Sequence, residues 1–246
     1  MSDFLTTPQG RRIAFDRSAG QGPGVVFLGG FRSDMTGTKA AFLADWAARQ
    51  GRAFVRFDYS GHGQSSGDFL DYTIGAGAED AMAVLGALTT GPQVLVGSSM
   101  GGWISLLVAR ALPERVCGLV GIAAAPDFTE DWDKARLTPQ QRADLAAKGH
   151  FLEPSDYDPA GYPISAKLIA DGPRQAVLRS PLNLPFPVRL LHGTADSDVP
   201  VSVALRLLNH MTSPDARLTL VKDADHRFSD PTCLALIAKA VQQVSD

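Results

Sequence analysis

Apolar, β-branched runs alternate with stretches of helical spacing along most of this chain, and that alternation restricts its fold more than any other feature. Val25-Val26-Phe27-Leu28 is followed by a helix pattern over 38–49, with Ala40, Phe42, Leu43, Trp46 and Ala47 recurring on one side. A strand at 53–57 precedes a helix at 73–88, and a strand at 93–97 precedes a helix at 101–112. A strand at 115–123 stands before a long interruption, after which come a strand at 188–191, a helix at 201–211, a strand at 216–221 and a closing helix at 232–244. Residues 4–6 and 12–15 read as an opening hairpin. Continuous apolar strands are those buried on both faces. Parallel neighbours need crossover connections, which helices supply. The pattern therefore predicts an α/β protein with a mostly parallel central sheet flanked by helices.

The interruption, 126–185, holds Pro139, Pro154, Pro159, Pro163, Pro173 and Pro181, with short helices expected at 139–147 and 164–170. It is too long for a bare loop. It reads as a small helical cap inserted after the sixth strand, dividing a core at 1–125 and 186–246. The 246 residues are enough for one such domain without staples.

Composition excludes several classes. The net charge is −3 and no basic run stands out, so the footprint of a nucleic-acid partner is missing. Cys117 and Cys233 are far apart in apolar stretches and read as buried free thiols of a reducing compartment. Residues 1–7 have neither a cationic head with an apolar core nor an Arg-rich transit pattern, so a cytoplasmic, bacterial setting is expected. The uncharged stretch 81–109 is broken at Thr89-Thr90-Gly91-Pro92-Gln93 and at Ser98-Ser99. Its pieces fall short of the ~20 apolar residues of a membrane span, and no transmembrane segment is predicted. The sequence does not set the oligomeric state, and a monomer is compatible with it.

The chemistry centres on Gly97-Ser98-Ser99-Met100-Gly101, set between an apolar strand and an apolar helix. A serine on so tight a strand-to-helix turn projects its hydroxyl clear of the sheet, and the residues two before and two after must lack bulk. Gly63-Gln64-Ser65-Ser66-Gly67 matches the same expression without strand or helix beside it, and Ser98 has Val96 and Met100 at the critical positions. Ser99 is the candidate nucleophile.

Its hydroxyl needs a base, and the base an orienting carboxylate. Of five histidines, His226 lies in the loop between the last strand and the last helix. The order Ser, Asp, His along the chain makes it the candidate base. His192 ends a strand and reads as a structural donor to backbone, His62 as a turn or pocket-rim residue, His150 as part of the cap, and His210 as a helix end. The acid is expected in the loop after 188–191, where Asp196 is preferred because it comes first after the strand. Asp198, just before Val199-Pro200 and the next helix, is its competitor and is explained by capping. Two preorganised donors are needed for the oxyanion. The Met100 N–H at the helix start is one, and the Phe31 N–H, with Gly30 as fallback, is the other. In the cap, Trp132, Phe151, Leu152, Tyr157, Tyr162, Ile164 and Leu168 are candidates for an acyl groove, or else for cap-to-sheet packing. No metal-ligand spacing and no phosphate-cradling glycine loop is present, so no cofactor is implied.

Taken together these motifs resemble the α/β-hydrolase superfamily over nearly the whole chain. Gly37-Thr38-Lys39-Ala40, Arg56-Phe57-Asp58-Tyr59-Ser60-Gly61, the Ser99 turn and Asp225-His226-Arg227 are similar to those of the mitochondrial abhydrolase-domain esterases, which remove palmitoyl groups from protein cysteines and hydrolyse acyl glucuronides. The resemblance implies Ser99, Asp196 and His226 as the triad. It implies a small-molecule acyl ester or thioester, or an acylated protein, as substrate. Arg227 is carried over as a family residue without a role. The expectation is therefore a serine esterase or thioesterase working through an acyl-enzyme. Carbon–carbon bond hydrolysis and small-peptide cleavage can use the same three residues, and an idle binding protein could retain them. Dehalogenase and epoxide hydrolase chemistry would need a carboxylate at position 99.

Overall fold

The computed structural model describes residues 2–132, 136–155 and 158–245. β1 (Asp3–Thr6) and β2 (Arg12–Ser18) form an antiparallel hairpin, and β2 pairs antiparallel with β4 (Arg52–Phe57). Beyond that edge every pairing in the sheet is parallel. β4 joins β3 (Gln21–Leu28), then follow β5 (Gln93–Ser98), β6 (Val116–Ile122), β10 (Val188–Gly193) and β12 (Ala216–Val221). The eight strands run in the order β1-β2-β4-β3-β5-β6-β10-β12.

Successive side chains of a strand point to opposite faces, and each face here has its own core. Val25, Phe27, Val94, Val96, Val120 and Ile122 pack under α1 (Thr38–Arg49) and α7 (Pro231–Gln243), through Leu43, Trp46, Ile237 and Val241. Val26, Leu28, Leu95 and Leu119 pack on the other face with residues of α2 (Ile74–Leu88), α3 (Met100–Ala111) and α6 (Val201–His210), through Val84, Ile104, Leu107 and Leu207. The helix starts follow local chemistry. Thr73 caps α2 by accepting from the Ala76 N–H, and Asp230 caps α7 by accepting from Thr232 and Cys233. Cys233 is buried as expected, whereas Cys117 on β6 is only half-buried, and both thiols are free.

Between β6 and β10 the chain leaves the sheet. It forms α4 (Pro139–Lys148), a hairpin of β7 (His150–Ser155) and β8 (Asp158–Ser165), and α5 (Ala166–Asp171). A short parallel pair, β9 (Leu182–Asn183) with β11 (Met211–Thr212), follows. The cap is thus not purely helical. Phe151, Tyr162 and Ile164 are residues that suit a pleated surface. Gly161, inside β8, has φ +73°, and a Cβ there would stand 2.7 Å from the Glu153 carbonyl oxygen, so only glycine fits. The helix expected from 164 begins only at Ala166, because Ser165 is its cap, accepting from the Leu168 N–H.

The cap is tied down by polar bonds at its roots. Trp103 on α3, fully buried, donates from Nε1 to the Gln175 carbonyl. Asp127, left-handed at φ 59°, accepts from the Val177 and Leu178 N–H groups at 2.8 and 2.9 Å. Replacing Asp127 by Ala strands those two buried donors, each otherwise without this acceptor, and such groups are costly to leave unpaired. We expect Asp127→Ala to lose roughly 1–3 kcal/mol of stability and to open the cap to limited proteolysis. Denaturant unfolding together with cleavage mapping checks this.

Candidate active site

The turn that carries Ser99 is built by close approach. A Cβ on Gly101 would lie 2.1 Å from the Leu28 carbonyl oxygen, and one on Gly97 would lie 2.3 Å from the Gly101 carbonyl oxygen. Only glycine lets α3 start that near β3 and β5. Ser99 itself has φ 54° and ψ −117°, a costly conformation for a residue with a Cβ. The surroundings hold it there. Its N–H donates to the Ile122 carbonyl at 2.9 Å, and its own carbonyl accepts from Gly102 at 2.9 Å and Ala125 at 3.1 Å. With the backbone engaged in this way, the hydroxyl projects above the sheet.

His226 meets it there. His226 Nε2 lies 3.0 Å from Ser99 Oγ, and His226 Nδ1 lies 2.8 Å from Asp196 Oδ2. The Asp196 side chain is wholly buried. Its Oδ1 accepts from the Asp198 N–H at 3.0 Å and the Val199 N–H at 2.8 Å, while Oδ2 faces the His226 imidazole, with His192 Nε2 3.3 Å from the same oxygen. Burial works against the charged carboxylate. The hydrogen bond from His226, the Val199 N–H and the nearby imidazoles outweigh it and hold Asp196 below the ordinary carboxylate value. Asp198 lies differently. Its Oδ2 stands 4.0 Å from His226 Nε2, the nitrogen that faces the serine, and not beside Nδ1.

The loop after β3 passes close to the hydroxyl. A Cβ on Gly30 would be 3.5 Å from Ser99 Cβ and from the Ser98 carbonyl oxygen. That loop is fastened from below by Asp58, which accepts from the Met35 N–H at 2.7 Å and from the Gln64 N–H at 2.8 Å. Met100 opens α3, so its N–H has no acceptor one helical turn back.

A cavity of about 640 Å³ opens over Ser99. Phe31, Phe128, Trp132, Tyr162 and Val199 give it apolar walls, while Arg32, Lys39, Asp198 and Arg227 reach it from the side of the β3 and His226 loops. Trp132 and Tyr162 therefore line the pocket as cap residues. Phe151 does not: it is buried in the core, where it packs edge-on to Trp132. Leu152, its neighbour, is 58% exposed on the opposite side of β7 and also lies off the cavity. Ile164 and Leu168 belong to the core, and Tyr157 lies outside the described residues. Glu153, Pro154 and Ser155 occupy the pocket side of the hairpin instead. Alternation separates Phe151 from Leu152, the register shift between Glu153 and Ser155 breaks it further along, and nothing local in the sequence sets either.

The remaining histidines have structural places. His192 Nε2 is 2.8 Å from the Val199 carbonyl, fixing the loop that holds Asp196. His62 is not on the pocket rim. It is buried against Phe69 and Tyr72, with ring centroids 4.9 and 4.6 Å away, and burial pushes its pKa down to about 4. His210 Nε2 lies near the Val177 and Ser180 carbonyls, and His150 Nδ1 near that of Lys148. Ser65, in the second glycine–serine pattern, donates to the Asp58 carbonyl and accepts from the Ala14 N–H, a fastening role. Among the described residues no cluster of His, Cys, Asp or Glu could hold a metal ion. No helix among them is long and apolar enough to cross a membrane.

A sheet of this order with a serine on a sharp turn after β5 defines a class of protein, and the family model of the alpha/beta hydrolase family matches residues 25–235. The chain belongs to the alpha/beta hydrolase family. Among individual relatives, it is 36% identical to the mitochondrial palmitoyl-protein thioesterase ABHD10 of Rattus norvegicus, over 99% of this chain and 82% of the relative. Among solved structures, a putative hydrolase from Agrobacterium vitis S4 is 41% identical, with a TM-score of 0.95 and coverage of 100% of this chain and 99% of that one. Mouse alpha/beta hydrolase domain-containing protein 10 is 35% identical, with a TM-score of 0.91 and coverage of 99% and 98%.

Proposed function

We propose that this chain is a serine hydrolase that cleaves carboxylic ester or acyl-thioester bonds through an acyl-enzyme, with long-chain acyl thioesters of the palmitoyl type among its substrates. The single observation that carries the reading is the unbroken line from Ser99 Oγ through His226 to Asp196, at 3.0 and 2.8 Å. Ser99 Oγ attacks the acyl carbonyl while His226 Nε2 takes its proton, and Asp196 holds the ring and stabilises the imidazolium. The N–H groups of Met100 and Phe31, with Gly30 as the alternative second donor, receive the oxyanion. Collapse breaks the bond to the leaving thiol or alcohol, which takes the proton from His226. Water, deprotonated by the same nitrogen, then releases the acid and restores Ser99.

The cavity supports a division of the substrate. Its apolar walls, Phe31, Phe128, Trp132 and Tyr162, suit an acyl chain, and the side of Arg32, Lys39 and Arg227 suits a polar leaving group. The segment 126–185 acts as the cap over this pocket. Similarity to the palmitoyl-protein thioesterase supports the thioester assignment. The free thiols of Cys117 and Cys233 fit a reducing compartment such as a bacterial cytoplasm.

A fluorophosphonate probe should add once per chain, at Ser99, as read by intact-mass and peptide mass spectrometry. Rates over acyl-thioester and p-nitrophenyl ester series, from acetyl to palmitoyl, should depend on chain length. A folded sample that takes up no label would instead indicate a binding protein. A labelled enzyme that is equally slow across both series would remove the acyl groove.

A further inference from the structure

Gly37-Thr38-Lys39-Ala40 and Asp225-His226-Arg227 lie far apart in the chain, and of these residues only His226 takes part in the proton transfers above. In the fold the two stretches touch. Lys39, in the first turn of α1, donates from Nζ to the backbone carbonyl of Arg227, the residue directly after His226.

The loop so gripped is tight. Asp223 and Phe228, on either side of His226, both have left-handed backbones, at φ 62° and 50°. Its backbone–backbone bonds are long, Ala224 N–H to the Val221 carbonyl at 3.4 Å and Phe228 N–H to the Asp225 carbonyl at 3.3 Å. The Phe228 N–H also reaches Asp225 Oδ1 at 3.1 Å, and the Phe228 ring is buried in the core shared with α1. A firmer bond, from the Asp223 N–H to Thr194 Oγ1 at 2.9 Å, fastens the loop on its N-terminal side, away from Arg227. Lys39 supplies a charged donor on the other side, from an element anchored in the core through Ala40 and Leu43. The ammonium is half-buried. Burial lowers its pKa to about 8, although Asp225 draws it up, with Arg227 adding to the lowering. A cation withdrawn from water in this way needs acceptors, and the Arg227 carbonyl is one.

We propose that Lys39 is a positioning residue for His226: its hydrogen bond to the Arg227 carbonyl ties the histidine loop to α1 and keeps Nε2 within reach of Ser99 Oγ. This rests on the reading of Ser99 and His226 as nucleophile and base. Lys39 also reaches the pocket, so the rival role is direct contact with the substrate's polar end. The two differ in which kinetic constant they move.

The experiment compares wild type with Lys39→Met, Lys39→Gln and Lys39→Arg on p-nitrophenyl acetate, and measures the rate of fluorophosphonate labelling of each. Lys39→Met should lower kcat and the labelling rate by roughly tenfold to a hundredfold, the scale of a small misplacement of a reacting group, with KM within twofold. Lys39→Arg, which keeps a charged donor, should recover most of the loss. If Lys39→Met does not fold, a kcat for Lys39→Gln well below that for Lys39→Arg supports the tether, and equal values overturn it. A raised KM at unchanged kcat would overturn it in favour of substrate contact. Wild-type protein that resists the label would defeat the underlying serine-hydrolase reading. Wild type and Lys39→Met labelling at equal rates would defeat the tether alone.

Discussion

Ser99→Ala is expected to lower kcat on esters and thioesters by roughly 10⁵- to 10⁶-fold, the scale seen when the nucleophile of a hydrogen-bonded triad is removed. The substitution deletes one oxygen and leaves the turn as it is. The Ser99 N–H and carbonyl keep their bonds to Ile122, Gly102 and Ala125. The strain at φ 54° is equal for serine and alanine, since both carry a Cβ. Stability should therefore change by less than about 1 kcal/mol. Ser99→Gly sharpens the test. Glycine reaches positive φ at no steric cost, so that variant should be equally inactive yet unfold at a temperature no lower than the alanine variant. Loss of activity with gain or retention of stability marks a residue kept in strain for its chemistry. Single-turnover kinetics and thermal unfolding of the three proteins check both halves. Turnover by Ser99→Ala near the wild-type rate would end the assignment.

The layout of the sheet was readable because its cause is local. Val25-Val26-Phe27-Leu28 and Val94-Leu95-Val96 have no polar position, and a strand so composed can sit only between two helical layers. The motif glycines were readable for the same kind of reason: Gly97 and Gly101 sit where a Cβ would strike backbone oxygens within about one turn of Ser99 or on the adjoining strand. The cap was harder. Its prolines and two short helical patterns point to a helical cap, but Pro154 and Pro163 lie inside β7 and β8 of a two-stranded hairpin, where proline is tolerated because both strands are edges. Phe151 and Leu152 show a second limit. Both are apolar and adjacent, and only the docking of the hairpin sets which turns inward. Lys39 shows a third, since its partner is a backbone carbonyl 188 residues further along the chain, and a carbonyl has no sequence signature. Local patterning reveals elements and turns. Contacts between elements, on which pocket lining depends, need the fold itself.

Asp196→Asn should cost about 10⁴-fold in kcat, the scale expected when the histidine is left in the wrong tautomer, and the hydrogen bonds around the carboxylate show why. Oδ1 accepts from the N–H groups of Asp198 and Val199. An asparagine will keep its carbonyl oxygen there, which turns its NH₂ toward His226 Nδ1. That nitrogen must then accept, so the ring proton moves to Nε2 and points at Ser99 Oγ, where a base is needed. Asp198 cannot make good the loss, because its carboxylate lies 4.0 Å from Nε2 and on the serine side of the ring. Asp198→Asn should accordingly change kcat by less than about tenfold. The pH dependence of stability provides a second reading. Asp196 titrates below its ordinary value in the folded chain, so the folded state binds fewer protons there than the unfolded state. Its contribution is complete above the ordinary carboxylate value and is lost as the pH falls through the lower, folded one. Asp196→Asn removes that component, and the variant's unfolding midpoint should fall less steeply on acidification than the wild type's. Equal kinetic losses at 196 and 198, or parallel acid-unfolding curves for Asp196→Asn and wild type, would place the orienting carboxylate elsewhere.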